Sequence, residues 1–426
     1  MDYVWDIIHS TGLAFCPPSS AIFPEHYRDI QRDYTFVGNA DMAVMGRGTF
    51  GVVRRVQERT LEMRKKNLKK YACKTVLKSK LDNPILLKNE VYNLQRCQDA
   101  PHVIKLVDVY EDFYAVHIIM EECRGMELFE ELQLVGEEGL GEEQSAIVIH
   151  QALTALAYMH EVCHVAHRDI KASNFIFAHL NLMKDDGKEL EIKLIDFGLS
   201  KHVVSKPSQG HKIEQNGEAV GTVTNDSSKD AGTKSIDDLG IPPTPTIDAI
   251  DSDDELLKNQ QGVMTSEVGT PYYTAPEVLT QDSYDFKCDV YSVGVLAYLC
   301  LTGRLPIKGK TERETIKMVM KAKTKIDFSD ELWLKTHQKE GESPKEEKVH
   351  RNGKALSFSA RDFCQALLQR DPQKRPTAHE ALHMDWMTTR FGEPARLPPP
   401  IRDDEELKLP SIQRVDTATL EQTLSC

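Results

Sequence analysis

The 426-residue chain is predicted to fold as an α+β protein of two lobes. A small antiparallel, β-rich N-terminal lobe with one main helix should precede a larger helical C-terminal lobe. Three observations predict this. The chain exceeds what a single hydrophobic core usually supports, so it should divide. Short runs rich in β-branched residues fill its first third. From about Glu127 onward the apolar residues recur at helical spacing instead.

Residues 1–37 are assigned to an N-terminal extension, whose Trp5, Ile7, Ile8, Leu13 and Phe15 are expected to pack on the body. Strand character begins at Tyr34, and the N-lobe with its hinge is placed at 38–123. Val52–Val56 and Tyr71–Val76 read as strands, with the basic stretch Arg64–Lys70 as the tip between them. Ile85–Cys97 has helical spacing, with Leu86, Val91 and Leu94 on one side. Tyr114–Met120 is a further strand. The C-lobe is placed at 124–390. Its helices are Gln144–His160, with Ile147, Leu153, Leu156 and Met159 as the apolar stripe, then Ser359–Gln369 and Thr377–Asp385. Val290–Leu301 is apolar almost all round, as a fully buried helix should be. Two insertions interrupt the lobe. One, about 205–261, is rich in Ser, Thr, Gly and Asp, a disordered composition. The second, about 335–354, is polar. Residues 391–426, with Pro398-Pro399-Pro400 and Asp403-Asp404-Glu405-Glu406, read as a flexible tail.

Composition narrows the functional classes. A hydrophobic share of 40% and a charged share of 28% suit a globular chain. The net charge of −13 argues against nucleic acid as the main partner and favours basic peptides. Nine cysteines without C-x-x-C pairs fit free thiols in a reducing compartment. There is no secretory signal, Asp2 stands where myristoylation needs Gly, and no apolar run is long enough to span a bilayer. A cytoplasmic or nuclear protein, not a secreted one, is expected.

The motifs are more specific. Gly46-x-Gly48-x-x-Gly51-x-Val53 comes first, then Tyr71-Ala72-Cys73-Lys74. His167-Arg168-Asp169, with Lys171 and Asn174, follows, then Asp196-Phe197-Gly198 and Ala275-Pro276-Glu277. In this order they are the parts of a protein kinase: a phosphate cover, a catalytic base and two metal ligands. Phosphoryl transfer needs a pinned triphosphate, metal ions and an oriented hydroxyl, and little covalent chemistry from the protein. Glycines without side chains let the backbone approach phosphates closely. A buried Lys at a strand centre needs partners. For Lys74 these would be nucleotide phosphates and a helix carboxylate, assigned to Glu90 because Leu94 would pack one turn behind it. An Asp inside the apolar phrase Leu194-Ile195-Asp196-Phe197-Gly198 is costly unless it binds something.

From about Tyr34 to Met387 the chain resembles a eukaryotic protein kinase. Met126-Glu127-Leu128-Phe129, Asn174-Phe175-Ile176-Phe177 and Gly269–Glu277 are most similar to the calcium/calmodulin-regulated group, and within it to the calcium-dependent protein kinases of plants and protists. The resemblance implies the bilobal kinase fold and Ser/Thr kinase activity with ATP and Mg²⁺ on protein substrates. It implies that Asp169 orients or deprotonates the substrate hydroxyl and that Lys171 neutralises the transferring phosphoryl group. Asn174 and Asp196 would hold Mg²⁺, whose hardness suits oxygen ligands. Gly46, Arg47, Gly48, Gly51, Val53, Ala72, Lys74 and Ile176 would surround the nucleotide, with Met120 as gatekeeper. Glu121 and Cys123 would offer backbone groups to adenine. Glu127 matches the acidic residue that favours Arg upstream of the phosphoacceptor. Ser173 replaces a second acidic residue, which weakens that preference. Glu277 is expected to pair with Arg375, and Asp289 to cap the catalytic loop.

For regulation, Arg168 implies a cationic pocket for a charged activation loop, filled by Glu267 or, after an upstream kinase acts, by Thr265 or Ser266. Thr270 is expected to bond Asp169 and Lys171. Thr244-Pro245 and Ser252 are phosphosite candidates. No EF-hand loop occurs in these 426 residues, so direct calcium sensing is not expected. Calmodulin is left open as a partner, because an acidic, proline-bearing tail is a poor basic amphipathic helix. The competing readings are a pseudokinase scaffold and a calmodulin-regulated switch acting through the tail. Intact Lys74, Asp169, Asn174 and Asp196 argue against the first.

Overall fold

β-branched and aromatic residues in the first third build a six-stranded antiparallel sheet. The computed structural model describes residues 18–38, 44–47, 51–59, 68–179, 190–203, 270–280, 285–321, 323–329, 333, 356–402 and 409–410. Its strands are β1 (Tyr34–Phe36), β2 (Val44–Arg47), β3 (Gly51–Glu58), β4 (Lys70–Leu77), β5 (Leu106–Glu111) and β6 (Ala115–Glu121). The order is β1-β3-β4-β6-β5. β1 and β2 pair with successive parts of β3, at Val56–Glu58 and Val52–Arg54. The helix α1 (Pro84–Arg96) lies between β4 and β5 in sequence.

α1 starts where expected, because the Asn83 side chain accepts from the Ile85 N–H at 3.0 Å and Pro84 pre-sets the first turn. Its apolar face differs from the expectation. Leu87, Val91 and Leu94 are buried, whereas Leu86 is 43% exposed. The helical phase set by Val91 and Leu94 selects position 87, a full turn before Val91.

The larger lobe carries α2 (Leu128–Val135), α3 (Glu142–Glu161), β7 (Val165–Ala166), β8 (Phe175–Phe177), β9 (Ile192–Leu194) and β10 (Lys201–His202). It continues with α4 (Thr270–Tyr273), α5 (Pro276–Thr280), α6 (Lys287–Thr302), α7 (Glu312–Met320), α8 (Phe358–Leu367), α9 (Ala378–Leu382) and α10 (Asp385–Phe391). α6 is buried from Cys288 to Thr302, as its unbroken apolar run requires. In α3 the buried apolar residues are Ala146, Val148, Ile149, Ala152, Leu153, Ala155, Leu156, Ala157 and Met159, and Ile147 is only half-buried.

The ends of the described chain are held. Glu111 accepts from the N–H groups of Ile22 (2.9 Å) and Phe23 (2.5 Å), so residues assigned to the extension dock on β5. The residues assigned to a flexible tail begin inside α10. Beyond it the Ile401 N–H donates to Val162 O at 2.8 Å, and Leu397 and Ile401 pack on the core. The apolar residues among the prolines supply this anchorage, which composition alone did not reveal. Trp5 to Phe15, Arg64 to Asn67, the insertion at about 205–261 and that at 335–354 lie outside the described residues. Among the described residues no helix is long and apolar enough to cross a membrane.

Candidate active site

Lys74 sits mid-sheet, opposite Val53 on β3 and Ile118 on β6. Its ammonium lies 2.5 Å from Glu90 Oε1 and 3.8 Å from Asp196 Oδ1. The buried Leu87–Val91–Leu94 face of α1 turns Glu90 toward β4. Burial alone would lower the Lys74 pKa, but the Glu90 and Asp196 carboxylates override it and raise it. The same attraction works on Asp196. Burial would raise its pKa, yet Lys74 and the Gly198 N–H, donating at 3.0 Å, hold it below the usual carboxylate value.

The catalytic loop forms a second cluster. Asp169 Oδ2 accepts from Lys171 Nζ at 2.9 Å and from Asn174 Nδ2 at 3.0 Å. Asn174 Nδ2 also donates to the Asp169 carbonyl at 2.7 Å, which ties the loop across five residues. The loop is fixed from below by Asp289 on α6. That carboxylate accepts from the backbone N–H of His167 (2.8 Å) and Arg168 (2.7 Å) and from His160 Nε2 (2.9 Å). Arg168 holds a left-handed φ of 68°. Such a conformation costs a non-glycine residue about 1–2 kcal/mol, and the capped N–H groups offset it.

A short hairpin joins the two clusters. β8 pairs with β9, Phe175 opposite Leu194, and the Ile195 N–H donates to Asn174 O at 3.0 Å. Asn174 and Asp196, the two residues expected to hold metal, are thereby brought to one place. Asn174 spends its amide nitrogen on Asp169, which leaves its carbonyl oxygen as the remaining acceptor. With the Asp196 carboxylate this makes a hard, oxygen-only donor pair. Such a pair fits a divalent cation that takes its other ligands from phosphates and water.

The other expected nucleotide contacts are distributed as follows. Ala72 and Met120 are cross-strand partners and both buried. Cys123 is buried just past β6. Glu121 is engaged with Lys105, donating its N–H to Lys105 O (3.0 Å) and accepting from Lys105 N–H (2.8 Å). Ile176 is half-buried and bridges to Glu127, whose own N–H donates to the Glu130 carboxylate at the start of α2. A Cβ at Gly46 would meet open space, as a position beneath a ligand should. Gly51 has a packing constraint as well. A Cβ there would come within 2.4 Å of Thr75 O, so its glycine is required by the packing of β3 on β4. Gly48 and the Arg47 side chain lie outside the described residues, as do Thr244, Ser252, Thr265, Ser266, Glu267 and the Thr270 side chain.

Three contacts were not anticipated from sequence. Asn93 Nδ2 donates to Ser200 O and Oγ, and Arg168 Nε donates to Leu199 O at 2.8 Å. Arg96 Nε donates to Cys163 O at 2.6 Å. The available signal was spacing, since Asn93 and Arg96 follow Glu90 at successive three-residue steps along α1. The expected architectural pair is present: Arg375 Nη1 and Nη2 bind Glu277 Oε1 (2.6 Å) and Oε2 (3.1 Å). Asp169 also lines a small cleft with Ile170, Tyr273, Ala275 and Ser292.

A two-lobed fold with a Lys–Glu pair, an Asp–Lys–Asn loop and an Asp at a hairpin end has the parts of a protein kinase domain. Residues 40–224 and 254–387 match the protein kinase domain family. The chain belongs to that family. It is 28% identical over 348 residues to calcium-dependent protein kinase 3 of Plasmodium yoelii yoelii, covering 82% of this chain and 47% of the relative. Calcium-dependent protein kinase 7 of Oryza sativa subsp. japonica is 31% identical over 320 residues (74% and 43%). Calcium-dependent protein kinase 11 of Arabidopsis thaliana is 27% identical over 383 residues (88% and 57%). The chain thus spans about half the length of the curated relatives it matches. Membership of the family implies ATP and a divalent metal.

Proposed function

We propose that the chain is a Ser/Thr protein kinase that transfers the γ-phosphoryl group of MgATP to protein hydroxyls. The observation that carries this reading is the Asp169 carboxylate, held at 2.9 Å by Lys171 and 3.0 Å by Asn174, with Lys74 closed on Glu90. In the reaction Lys74 binds phosphate oxygens and Glu90 keeps its ammonium in place. Asn174 and Asp196 would hold Mg²⁺, which neutralises charge on the phosphates when bound. Asp169 accepts the proton of the substrate hydroxyl, or orients it. Lys171, already beside Asp169, is placed to meet the charge of the phosphoryl group in transit. Its presence favours Ser/Thr substrates.

The negative net charge and Glu127 favour basic residues upstream of the acceptor. An upstream kinase acting near Thr265 or Ser266 would supply charge to Arg168. The relatives are named calcium-dependent, but no EF-hand loop lies in these 426 residues, so the purified chain should be indifferent to calcium chelation. Radiolabel transfer from γ-labelled ATP to a peptide library tests the reading. Label on basic-context Ser/Thr peptides supports it, and no transfer by chain that binds ATP contradicts it.

A further inference from the structure

Glu90, Asn93 and Arg96 fall on one i±3 ridge of α1. Each reaches a different part of the molecule. Glu90 meets Lys74 on the sheet at 2.5 Å. Asn93 meets Ser200, four residues beyond Asp196, at 3.0 and 3.1 Å. Arg96, 6% exposed, donates from Nε to Cys163 O (2.6 Å) and from Nη2 to Ile401 O (3.1 Å). The last contact spans 305 residues and ends on the C-terminal segment.

That segment is itself fastened. The Ile401 N–H donates to Val162 O at the C-cap of α3 (2.8 Å), and the side chains of Leu397 and Ile401 pack on the core. Between these anchors stand Pro398, Pro399 and Pro400, whose fixed φ angles reduce the entropy lost on docking. Ile401 therefore holds α3 with its N–H and α1 with its carbonyl. It links the helical lobe to the helix that carries Glu90.

We propose that residues 394–402 form a strap that positions α1 for phosphoryl transfer, with Ile401 as the positioning residue and Arg96 as its receiver. Without the strap, Arg96 keeps Cys163 O but loses the Ile401 carbonyl. The end of α1 is then less restrained, and its movement displaces Glu90, six residues before Arg96, from Lys74. Ile401 touches neither nucleotide nor substrate, so its effect must come through the geometry of Glu90. The inference rests on the kinase reading above.

The test uses the full chain carrying Ile401→Pro, which removes the N–H, or Ile401→Ser, which removes the apolar anchor. Turnover, peptide KM and amide exchange of α1 and α6 are measured, with and without excess synthetic peptide of residues 394–410. Expected are a kcat loss of about tenfold, within the range a displaced catalytic group costs, and an unchanged peptide KM. Exchange should quicken in α1 and not in α6, and the peptide should restore kcat. Parent-like kcat and α1 exchange in both variants overturn the proposal. So does a loss that extends to α6 exchange and is not restored by the peptide. If the parent chain itself transfers no phosphate, the kinase reading fails, while the exchange of α1 still reports on the strap.

Discussion

The side-chain amide of Asn93 donates to both oxygens of Ser200, the carbonyl at 3.1 Å and the hydroxyl at 3.0 Å. Ser200 Oγ in turn donates to Phe197 O at 2.6 Å. A helix of the N-lobe is thereby fixed to the segment that carries Asp196, and Lys74–Glu90 and Asp196 are set by one element. Asn93→Ala should lower kcat/KM about tenfold, or about 1.4 kcal/mol of barrier. Steady-state kinetics with one peptide checks this, and an unchanged value would sever the proposed coupling.

Arg375 and Glu277 form a bidentate pair whose side chains are 0% and 3% exposed. Arg375 also donates to Gln369 O and Lys287 O. Removing one partner leaves a buried charge alone, so Arg375→Ala should cost about 3–5 kcal/mol of stability. Equilibrium urea unfolding measures it, and a loss below about 1 kcal/mol, the range of exposed pairs, would contradict the burial argument.

Burial lowers the pKa values of His26, His102, His150 and His167. In the unfolded chain an imidazole takes up a proton as pH falls through about 6.5, while in the fold it stays neutral to lower pH. The unfolded state then binds more protons, so stability falls as pH drops below about 6.5 and levels off above it. The urea midpoint should be lower at pH 5.5 than at pH 7.5. A flat or rising midpoint toward acid would mean that these rings are charged in the fold.

The family match passes over residues 225–253. Loop closure cost grows only slowly with length, so replacing these residues with a short Gly/Ser linker should keep kcat/KM within about tenfold. A collapse to background in a variant with parent-like circular dichroism would make the stretch part of the active site.

Much of the site was legible because kinase chemistry forces particular residues into short local phrases. Asp169, Lys171 and Asn174 lie within six positions, and the structure joins them by direct hydrogen bonds. Glu90 was harder, since its partner is a strand away, but helical phase pointed to it. Leu86 was assigned to the wrong face because Leu86 and Leu87 are adjacent and equally apolar. Gly51 was read as a phosphate glycine, and its proximity to Thr75 O adds a cross-strand packing requirement that no local pattern carries. Spacing along α1 marks Arg96 but not its partner Ile401, 305 residues away, and acidic, proline-bearing composition pointed the other way.

The most direct measurement is γ-phosphoryl transfer from MgATP to a basic Ser/Thr peptide by the purified chain, beside its Asp169→Asn variant. Asn retains the shape and loses the basic carboxylate that Lys171 and Asn174 hold. The account predicts turnover by the parent and a loss of at least about 10²-fold in kcat for the variant, with ATP binding kept. Turnover retained by Asp169→Asn, or a parent chain that binds ATP and transfers nothing, would contradict it.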